Sequence, residues 1–516
     1  MTTVTPRTWD EEADLVVVGF GGSGATCAAV AAEAGADVLV LEKGTQGGGN
    51  SACIAGSLVL SVEDRDKSFE YLDWMCGGQT PAEVINAYLD GLSRIRNFQL
   101  KLGFEIKDDP RPFRNDGFYP EFPEAPGAGG LLGNSYIKAP GGDALWTAIS
   151  ERALSLGARL LTETPVKDLV QDPETGTVLG VIAQREDGSR ITVRGRKATV
   201  LATGGFEFNE QMRRQFLSHC PSLFLGSKNL TGDGILMAQR AGARLWHMNS
   251  AAGPLYWGIK TDNDDVYVTY EFMRLAGFGY RSPVFAEAGS LIWVNKNGRR
   301  FVNETIEIGS LHHGYANRPV WMAEDVHGAE FVNVPAFQIF DEKVRRAGPA
   351  MTTLNSRTPR WSADNLAEID RGLVIKADTL EELASRCVTP RMPGVCRGGT
   401  IDAAALVKTI EAWNDAARRG ADGEFGREDY LVPIDTPPFY AIGPMVPTYV
   451  NTHGGPEHDA RQRVLDTEGH PIPRLYAVGE CGSIWGPYYN SMGDICEFLI
   501  SGMNAAKAAL AETSDS

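Results

Sequence analysis

A glycine-rich turn close to the N-terminus constrains the fold of this chain more than any other feature. Residues 14–19 (DLVVVG) are typical of a buried strand, and the turn 19–24 (GFGGSG) leads into an alanine-rich helical stretch at 25–35. A second buried strand, 37–41 (DVLVL), follows and is succeeded by Glu42. Strand, glycine turn, helix and strand in this order form the dinucleotide-binding βαβ unit. The sequence therefore predicts an α/β, Rossmann-like fold.

The residues of this unit also indicate the ligand. Gly19 permits the tight turn, Gly21 lets the backbone approach a pyrophosphate, and Gly24 lets the helix pack closely on the strand. The carboxylate of Glu42 can accept ribose hydroxyl groups, which favours NAD or FAD. A second glycine loop, 43–51 (KGTQGGGNS), follows directly. Only a cofactor longer than its ADP moiety needs this second close approach, so the sequence predicts FAD.

Composition and charge exclude several classes of protein. The 516 residues carry a net charge of −17, which argues against binding to nucleic acid or to an anionic membrane. None of the eight cysteines forms a C-x-x-C pair, so no metal centre is expected. The acidic N-terminus lacks the apolar core of a signal peptide, and no apolar run is long enough to span a bilayer. We therefore expect a cytoplasmic enzyme.

Further segments occur in a characteristic order. They are GFGGSGATCAAVAAEAGADVLVLEKGTQGGGNS, ATGGFEFNEQM, TGDGILMAQRAGARL, NKNGRRFVNE, GADGEFGR and NTHGGPEHDARQRVLDTEGHPIPRLYAVGE. On these segments the chain resembles the flavoprotein superfamily of fumarate reductases and 3-ketosteroid dehydrogenases. The resemblance implies a discontinuous Rossmann-like FAD-binding domain at 1–250 and 435–516. It also implies an inserted α+β capping domain, which carries the substrate site, at 251–434.

The resemblance further implies the residues that contact FAD. They are Gly19, Gly21, Gly22, Ser23, Gly24, Glu42, Lys43, Gly49, Asn50, Ser51, Val166, Gly204, Asp233, Gly479, Glu480, Ser491 and Met492. Ser491 can in addition cap the final helix, whose N-terminal dipole would stabilise negative charge on the reduced flavin.

Two departures from the fumarate reductase pattern bear on the substrate. That branch has an arginine proton donor after its RFxNE motif and a second arginine before the last helix. The corresponding residues here are Ile308 and Asn490, and neither can replace an arginine that binds a carboxylate. The segments 118–121 (FYPE), 454–456 (GGP) and 488–493 (YYNSMG) resemble the ketosteroid dehydrogenase branch instead.

In that branch tyrosines polarise a ketone and remove the α-proton, while a hydride moves to the flavin. The candidate acid, base and polarising residues are Tyr119, His312, His313, Tyr315, His453, Tyr488 and Tyr489. A stretch rich in aromatic residues, between Trp246 and Trp293, suggests an apolar ring-shaped substrate, and Tyr267, Tyr270 and Tyr280 within it could donate to a carbonyl.

The sequence thus predicts an FAD-dependent oxidoreductase that acts on a CH–CH bond next to a carbonyl of a small apolar cyclic ketone or enone. An external electron acceptor or donor would complete the cycle, because no second GxGxxG and no C-x-x-C-H occurs. One alternative is a reductase of an unsaturated carboxylate, of the fumarate or urocanate type, with Arg274, Arg281 or Arg318 replacing the missing arginines. Another is a flavin-binding redox partner without CH–CH chemistry.

Overall fold

The architecture follows from a computed structural model. It describes residues 6, 8–54, 58–108, 120–137, 143–217, 221–254, 256–269, 289–304, 323–325 and 330–512. Two large sheets organise these residues, and each is covered by its own hydrophobic clusters.

The N-terminal part of the chain builds most of the first sheet. The strands of this part of the chain are β1 Glu11–Val18, β2 Val38–Leu41, β3 Leu58–Val62, β4 Ile106–Asp108, β5 Leu131–Ile137, β6 Arg159–Leu161, β7 Val166–Gln171, β8 Val178–Gln184, β9 Arg190–Leu201, β10 Leu223–Phe224 and β11 Leu245–Trp246. Of these, β3, β4 and β5 form a separate three-stranded sheet, and β10 and β11 pair outside the first sheet. Its helices are α1 Gly22–Glu33, α2 Gly49–Cys53, α3 Arg65–Met75, α4 Ala82–Lys101, α5 Ala144–Ser155, α6 Glu210–Phe216 and α7 Asp233–Arg240.

The middle of the chain forms most of the second sheet and its helices. The strands are β12 Tyr256–Lys260, β13 Val266–Thr269, β14 Leu291–Asn295, β15 Glu324–Asp325, β16 Glu330–Phe331, β17 Ala336–Asp341, β18 Met351–Thr352, β19 Val374–Ala377, β20 Val388–Thr389, β21 Gly399–Thr400 and β22 Phe439–Tyr449. The helices are α8 Glu342–Ala347, α9 Leu366–Asp370, α10 Leu380–Arg386 and α11 Ala403–Arg419. The next strand, β23 Gly455–Pro456, pairs with β11 in a separate two-stranded sheet. The chain then returns to the first sheet with β24 Arg463–Leu465 and β25 Pro471–Ala477, and the helix α12 Gly493–Leu510 follows.

The first sheet has the strand order β24-β25-β9-β1-β2-β6, with β8 joined to β9 and β7 to β8. The pairs β25–β9, β9–β1, β1–β2 and β2–β6 are parallel, whereas β7, β8 and β9 pair antiparallel as a meander. The second half of β1, residues 15–18, and the whole of β2 are apolar and buried at this centre, as parallel strands covered on both faces should be. The α/β, Rossmann-like prediction is confirmed, and β25 reaches this sheet from the end of the chain.

The second sheet has the order β14-β17-β22-β12-β13-β18, with β10 and β19 also paired to β22. β22 lies after residue 434, where the sequence analysis placed the end of the inserted domain, yet it pairs with β12 and β17 of the insertion. The domain limits stay a prediction. The pairing shows that the segment which leads the chain back to the first sheet is itself a strand of the second sheet.

Two further observations concern the whole of the described chain. Cys27, Cys53, Cys76, Cys387, Cys396, Cys481 and Cys496 are all buried free thiols. Over the residues described, no helix has the length and apolarity required to traverse a lipid bilayer.

Candidate active site

A cavity of about 380 Å³ lies where β1, β2 and β9 end, which is the edge at which open α/β sheets bind ligands. Nearly all of the predicted FAD contacts line it: Gly19, Gly21, Gly22, Ser23, Glu42, Lys43, Gly49, Asn50, Ser51, Val166, Gly204, Asp233, Glu480, Ser491 and Met492. The two others, Gly24 and Gly479, pack behind this wall. A Cβ on Gly24 would lie 2.1 Å from the carbonyl oxygen of Gly19, and one on Gly479 would lie 2.1 Å from the Ser23 hydroxyl.

The two glycine loops meet at the cavity. Gly21 and Gly48 form a parallel β-bridge, and the backbone N–H of Gly22 donates to the hydroxyl of Ser51 over 3.0 Å. The helix α1 begins beside this contact, with Gly21 at its N-cap and no side chain capping it. Backbone amides at an uncapped helix N-terminus, together with the helix dipole, suit a pyrophosphate group.

The charged residues after β2 are fixed by local hydrogen bonds. The carboxylate of Glu42 accepts from the backbone N–H of Phe20 at 2.9 Å and from that of Gly44 at 2.7 Å. The ammonium of Lys43 forms a 2.7 Å ion pair with Asp233 at the start of α7. Two residues far apart in sequence, Lys43 and Asp233, were therefore both predicted for one site and do lie side by side.

One local expectation about the final helix is wrong. Ser491 was expected to cap it, but α12 begins at Gly493 and its N-cap is Met492, in a left-handed conformation with φ of 68° and without a side-chain capping bond. The left-handed residue separates Ser491 from the first turn. The backbone N–H of Ser491 donates instead to Glu121 over 2.7 Å. Glu121 thus ties the FYPE segment to the start of α12.

The structure separates the two neighbouring tyrosines among the catalytic candidates. Tyr489 lines the cavity, and its hydroxyl accepts from the backbone N–H of Asp494 over 3.3 Å. The ring of Tyr488 stacks on Trp74 with 4.9 Å between centroids, and Tyr488 is not part of the cavity wall.

His453 lies directly behind the wall. It is fully buried, and its Nε2 is 3.3 Å from Oδ2 of Asp494 while its Nδ1 is 3.0 Å from the Ser250 hydroxyl. The imidazole and the ring of Tyr489 are 5.1 Å apart. The other catalytic candidates, Tyr119, His312, His313 and Tyr315, fall outside the described residues, as do Ile308, Tyr270, Tyr280, Arg274, Arg281 and Arg318.

Sequence reasoning missed Asp494, which joins these groups. Its Oδ2 accepts from the side-chain amide of Asn451 at 2.9 Å as well as facing His453. Its Oδ1 is buried without a hydrogen-bond partner among the described residues, and Asp494 lines the cavity. An acidic residue in the first turn of the helix expected to face the flavin was the signal that could have revealed it.

A second residue missed by the sequence analysis is Arg357, which lines the cavity from the side of the second sheet. Its guanidinium donates to the carbonyl of Gly47 over 3.0 Å. Lys43 and Arg357 are the cationic side chains of the described cavity wall, and Lys43 is already paired with Asp233.

The Arg and Glu of the RFxNE motif lie in a buried network of ion pairs and not at the cavity. The Arg300 guanidinium donates to both carboxylate oxygens of Glu304, at 3.0 and 2.8 Å, and to Asp422 at 3.1 Å. Arg427 joins the same buried group through a 3.2 Å contact to Glu304.

Asn490, at the position of the second fumarate reductase arginine, is buried and accepts from the hydroxyl of Tyr71.

The aromatic residues between Trp246 and Trp293 are divided between the cavity wall and the protein core. Tyr256 lines the cavity, whereas Tyr267 packs against Trp361 and donates its hydroxyl proton to the carbonyl of Pro359. Trp257 and Trp293 lie 6.0 Å apart in the core of the second sheet. Most of the described aromatic rings of this stretch therefore build the core, and Tyr256 is the one of these four at the cavity.

The residues present fit an FAD molecule. A Cβ on Gly21 would find its nearest neighbour at 3.7 Å, and one on Gly49 at 3.9 Å, so these glycines leave the cavity open where other side chains would fill it. The orphaned Oδ1 of Asp494 gives the wall a buried acceptor still in need of a partner.

Comparison with known proteins agrees with this geometry. Residues 14–494 match a family described as FAD binding domain. A vinyl phenol reductase of Lactiplantibacillus plantarum is 29% identical, with 96% of each chain covered. A 3-oxosteroid 1-dehydrogenase of Mycolicibacterium smegmatis is 28% identical, with 94% of each chain covered.

A solved structure has the same fold. The 3-ketosteroid delta1-dehydrogenase from Sterolibacterium denitrificans superposes with a TM-score of 0.72 at 23% identity, covering 97% of this chain and 100% of that one.

Proposed function

Because the chain belongs to the FAD binding domain family and is an FAD-dependent oxidoreductase, we propose that it desaturates, or reduces, a CH–CH bond next to the carbonyl of a cyclic ketone. The observation that carries the proposal is the position of Tyr489 in the cavity wall, beside Asp494 and His453. A phenol, a carboxylate and an imidazole close to one another are the kinds of group that can polarise a ketone and accept its α-proton. The dehydrogenase of Mycolicibacterium smegmatis, named for a 3-oxosteroid, supports the ketone.

The residues have distinct roles in this proposal. The Tyr489 hydroxyl donates to the ketone oxygen, which acidifies the neighbouring carbon and stabilises the developing enolate. The Oδ1 of Asp494 accepts the α-proton, and His453 together with Asn451 orients that carboxylate through its Oδ2. Bound FAD supplies the two-electron acceptor for the hydride from the β-carbon. An external electron acceptor would complete the cycle.

The side chains that would hold FAD are those of the cavity wall. The amides at the start of α1 and the loop at Gly49 would face the pyrophosphate, Glu42 the adenosine ribose, and Val166 the adenine through its backbone. Ser491 and Met492 would place the N-terminus of α12 beside the flavin.

Anaerobic mixing of the yellow holoenzyme with saturated and unsaturated cyclic ketones tests the function. We expect a saturated ketone to bleach the flavin absorbance and an enone to restore it. Replacing Tyr489 with Phe should slow this exchange by between about a hundredfold and ten-thousandfold, as loss of a general acid does. Tyr488→Phe is the matched control, because its ring lies outside the cavity wall. Equal rates in both variants, or no exchange with any ketone or enone, would refute the proposal.

A second candidate is reduction of a C=C bond in another small molecule. The relative from Lactiplantibacillus plantarum is named a vinyl phenol reductase, and Arg357 offers a guanidinium that an unsaturated carboxylate could bind. Turnover of fumarate, urocanate or a 4-vinylphenol with a reduced dye would favour this function. For a carboxylate, loss of turnover in Arg357→Gln would identify the binding group. Family membership favours either enzyme over a non-catalytic redox partner.

A further inference from the structure

Four acidic side chains crowd one wall of the cavity. Glu480, Asp494 and Glu497 line it, and Glu207 lies behind them with no exposed surface. They come from three parts of the chain: the turn after β9, the turn after β25, and the first two turns of α12. None of the four is among the carboxylates that form an ion pair with Lys or Arg among the described residues.

Glu207 and Glu480 compete for one amide. The Nδ2 of Asn50 lies 3.0 and 3.1 Å from the two oxygens of Glu480, and 3.4 Å from Oε1 of Glu207. The same Oε1 accepts from the backbone N–H of Thr452 at 3.1 Å. The second oxygen of Glu207, Oε2, is buried and has no partner among the described residues. An orphaned carboxyl oxygen is where a proton would reside.

The charged neighbours around this pair are acidic. Glu207 and Asp494 repel the ionised form of Glu480, and Glu497 adds to this repulsion only when it is ionised itself. Asp494 likewise acts on Glu207, and the imidazole of His453 contacts the Oδ2 of Asp494. Burial, followed by these like charges, raises the pKa of Glu480. Burial and the charge of Asp494 raise the pKa of Glu207 to about 7. Near neutral pH, therefore, Glu207 changes readily between its two forms.

We propose that Glu207 takes up one proton from solvent when the FAD bound in this cavity is reduced. A reductant that delivers two electrons and one proton leaves one additional negative charge on the cofactor. In a buried site that charge repels the nearby carboxylates strongly, because little water screens it. The O–H bond that forms on Glu207 neutralises the added charge. Two protons then enter for each two electrons, one to the cofactor and one to Glu207.

The midpoint potential of the bound flavin, measured against pH, tests this uptake. Above the pH at which Glu207 ionises in the oxidised protein, the wild-type slope should correspond to two protons per two electrons. In Glu207→Gln the slope should fall to one proton per two electrons. Glu210→Gln is the control, because Glu210 is an exposed residue of α6 paired with Arg214, and it should keep the wild-type slope.

Infrared difference spectra of the wild-type holoenzyme give a second measurement. Reduction should produce a protonated-carboxyl C=O band that is missing from Glu207→Gln and present in Glu210→Gln. If Glu207→Gln fails to retain FAD, Glu207→Asp keeps a carboxyl group there, and a shift of the C=O band in that variant assigns the band to residue 207, whereas an unshifted band would overturn the proposal. Equal slopes in wild type and Glu207→Gln, or no carboxyl band on reduction, would overturn the proposal. Dithionite supplies the electrons, so these outcomes do not depend on the ketone proposed above.

Discussion

At the scale of single residues, burial raises the pKa of several acids of the site. Glu497 in α12 accepts from the Ser483 hydroxyl at 2.5 Å and from the backbone N–H of Ile484 at 2.9 Å. Burial, followed by the negative charge of Asp494, nevertheless raises the pKa of Glu497 to about 8. Desolvation therefore outweighs two favourable hydrogen bonds, because the charged form loses its hydration on both oxygens.

The raised pKa of Glu497 predicts how stability varies with pH. The folded protein keeps this proton up to about pH 8, whereas the unfolded chain releases it near the ordinary glutamate value. Its stabilising contribution is thus complete at acid pH and is lost as pH rises to about 8, by an amount on the order of a few kcal/mol. Glu497→Gln should flatten the decline of the melting temperature over this range. Glu468→Gln, at an exposed turn, should leave it unchanged; equal declines in both variants would contradict the prediction.

At the scale of secondary-structure elements, the first turn and α1 distinguish two uses of glycine. Gly19, with φ of 102°, adopts a conformation that other residues rarely take, and Gly24 lets α1 press against its carbonyl. Gly21 has ordinary φ and ψ angles and has open space beside it. The sequence motif is the same for both, but Gly24 serves packing whereas Gly21 serves the cavity.

Replacing these two glycines with alanine should therefore affect different properties: the stability of the apoprotein for Gly24 and the affinity for FAD for Gly21. Gly24→Ala places a methyl group 2.1 Å from the Gly19 oxygen, so the turn must shift and the apoprotein should lose about 1–3 kcal/mol of unfolding free energy. Gly21→Ala should leave the apoprotein stable and weaken FAD binding, because its methyl group enters the cavity. Urea unfolding of the apoprotein and FAD titration separate the two. A stable Gly24→Ala variant with normal FAD affinity would be inconsistent with this packing.

At the scale of the whole molecule, the segment 354–357, which follows β18 of the second sheet, contacts loops that line the cavity. Asn355 donates to the carbonyls of Leu225 and Gly226, at 2.8 and 3.2 Å. Ser356 bonds to the carbonyls of Ala52 and Cys53 at the end of α2, and Arg357 bonds to Gly47. Leu354 and Arg357 also line the cavity. Through Ser356 and Arg357 the segment is bonded to loops of the first sheet beside the cavity in which the cofactor would lie.

Removing hydrogen bonds made by this segment should weaken FAD binding. Asn355→Ala removes the two hydrogen bonds that the Asn355 amide donates to Leu225 and Gly226. At about 1 kcal/mol each, their loss should make FAD dissociate roughly thirtyfold faster. Recovery of free-flavin fluorescence after dilution measures the rate. Ser385→Ala is the control, since the exposed Ser385 bonds only within α10 in the described structure. An unchanged rate in Asn355→Ala would mean that FAD leaves without undocking of the segment.

The sequence by itself determined the nucleotide-binding half of this protein. Glycine spacing, buried strands and Glu42 are local signals, because a tight turn and a close backbone approach depend on neighbouring residues alone. The predictions of FAD and of a Rossmann-like fold followed from them and are confirmed, and the enzyme class, which was predicted from the family resemblance, is confirmed as well. The failed cap at Ser491 arose from φ and ψ angles at Met492 that residue types do not reveal.

Only the tertiary structure decided which polar groups share the cavity. Asp494, His453 and Ser250 come from separate parts of the chain, as do Glu207, Asn50 and Glu480, and no sequence spacing links them. Tyr488 and Tyr489 are adjacent in sequence, yet the backbone directs one ring onto Trp74 and the other into the cavity wall. Burial, which sets the pKa of these acids, is a property of the packed molecule and is absent from the unfolded chain.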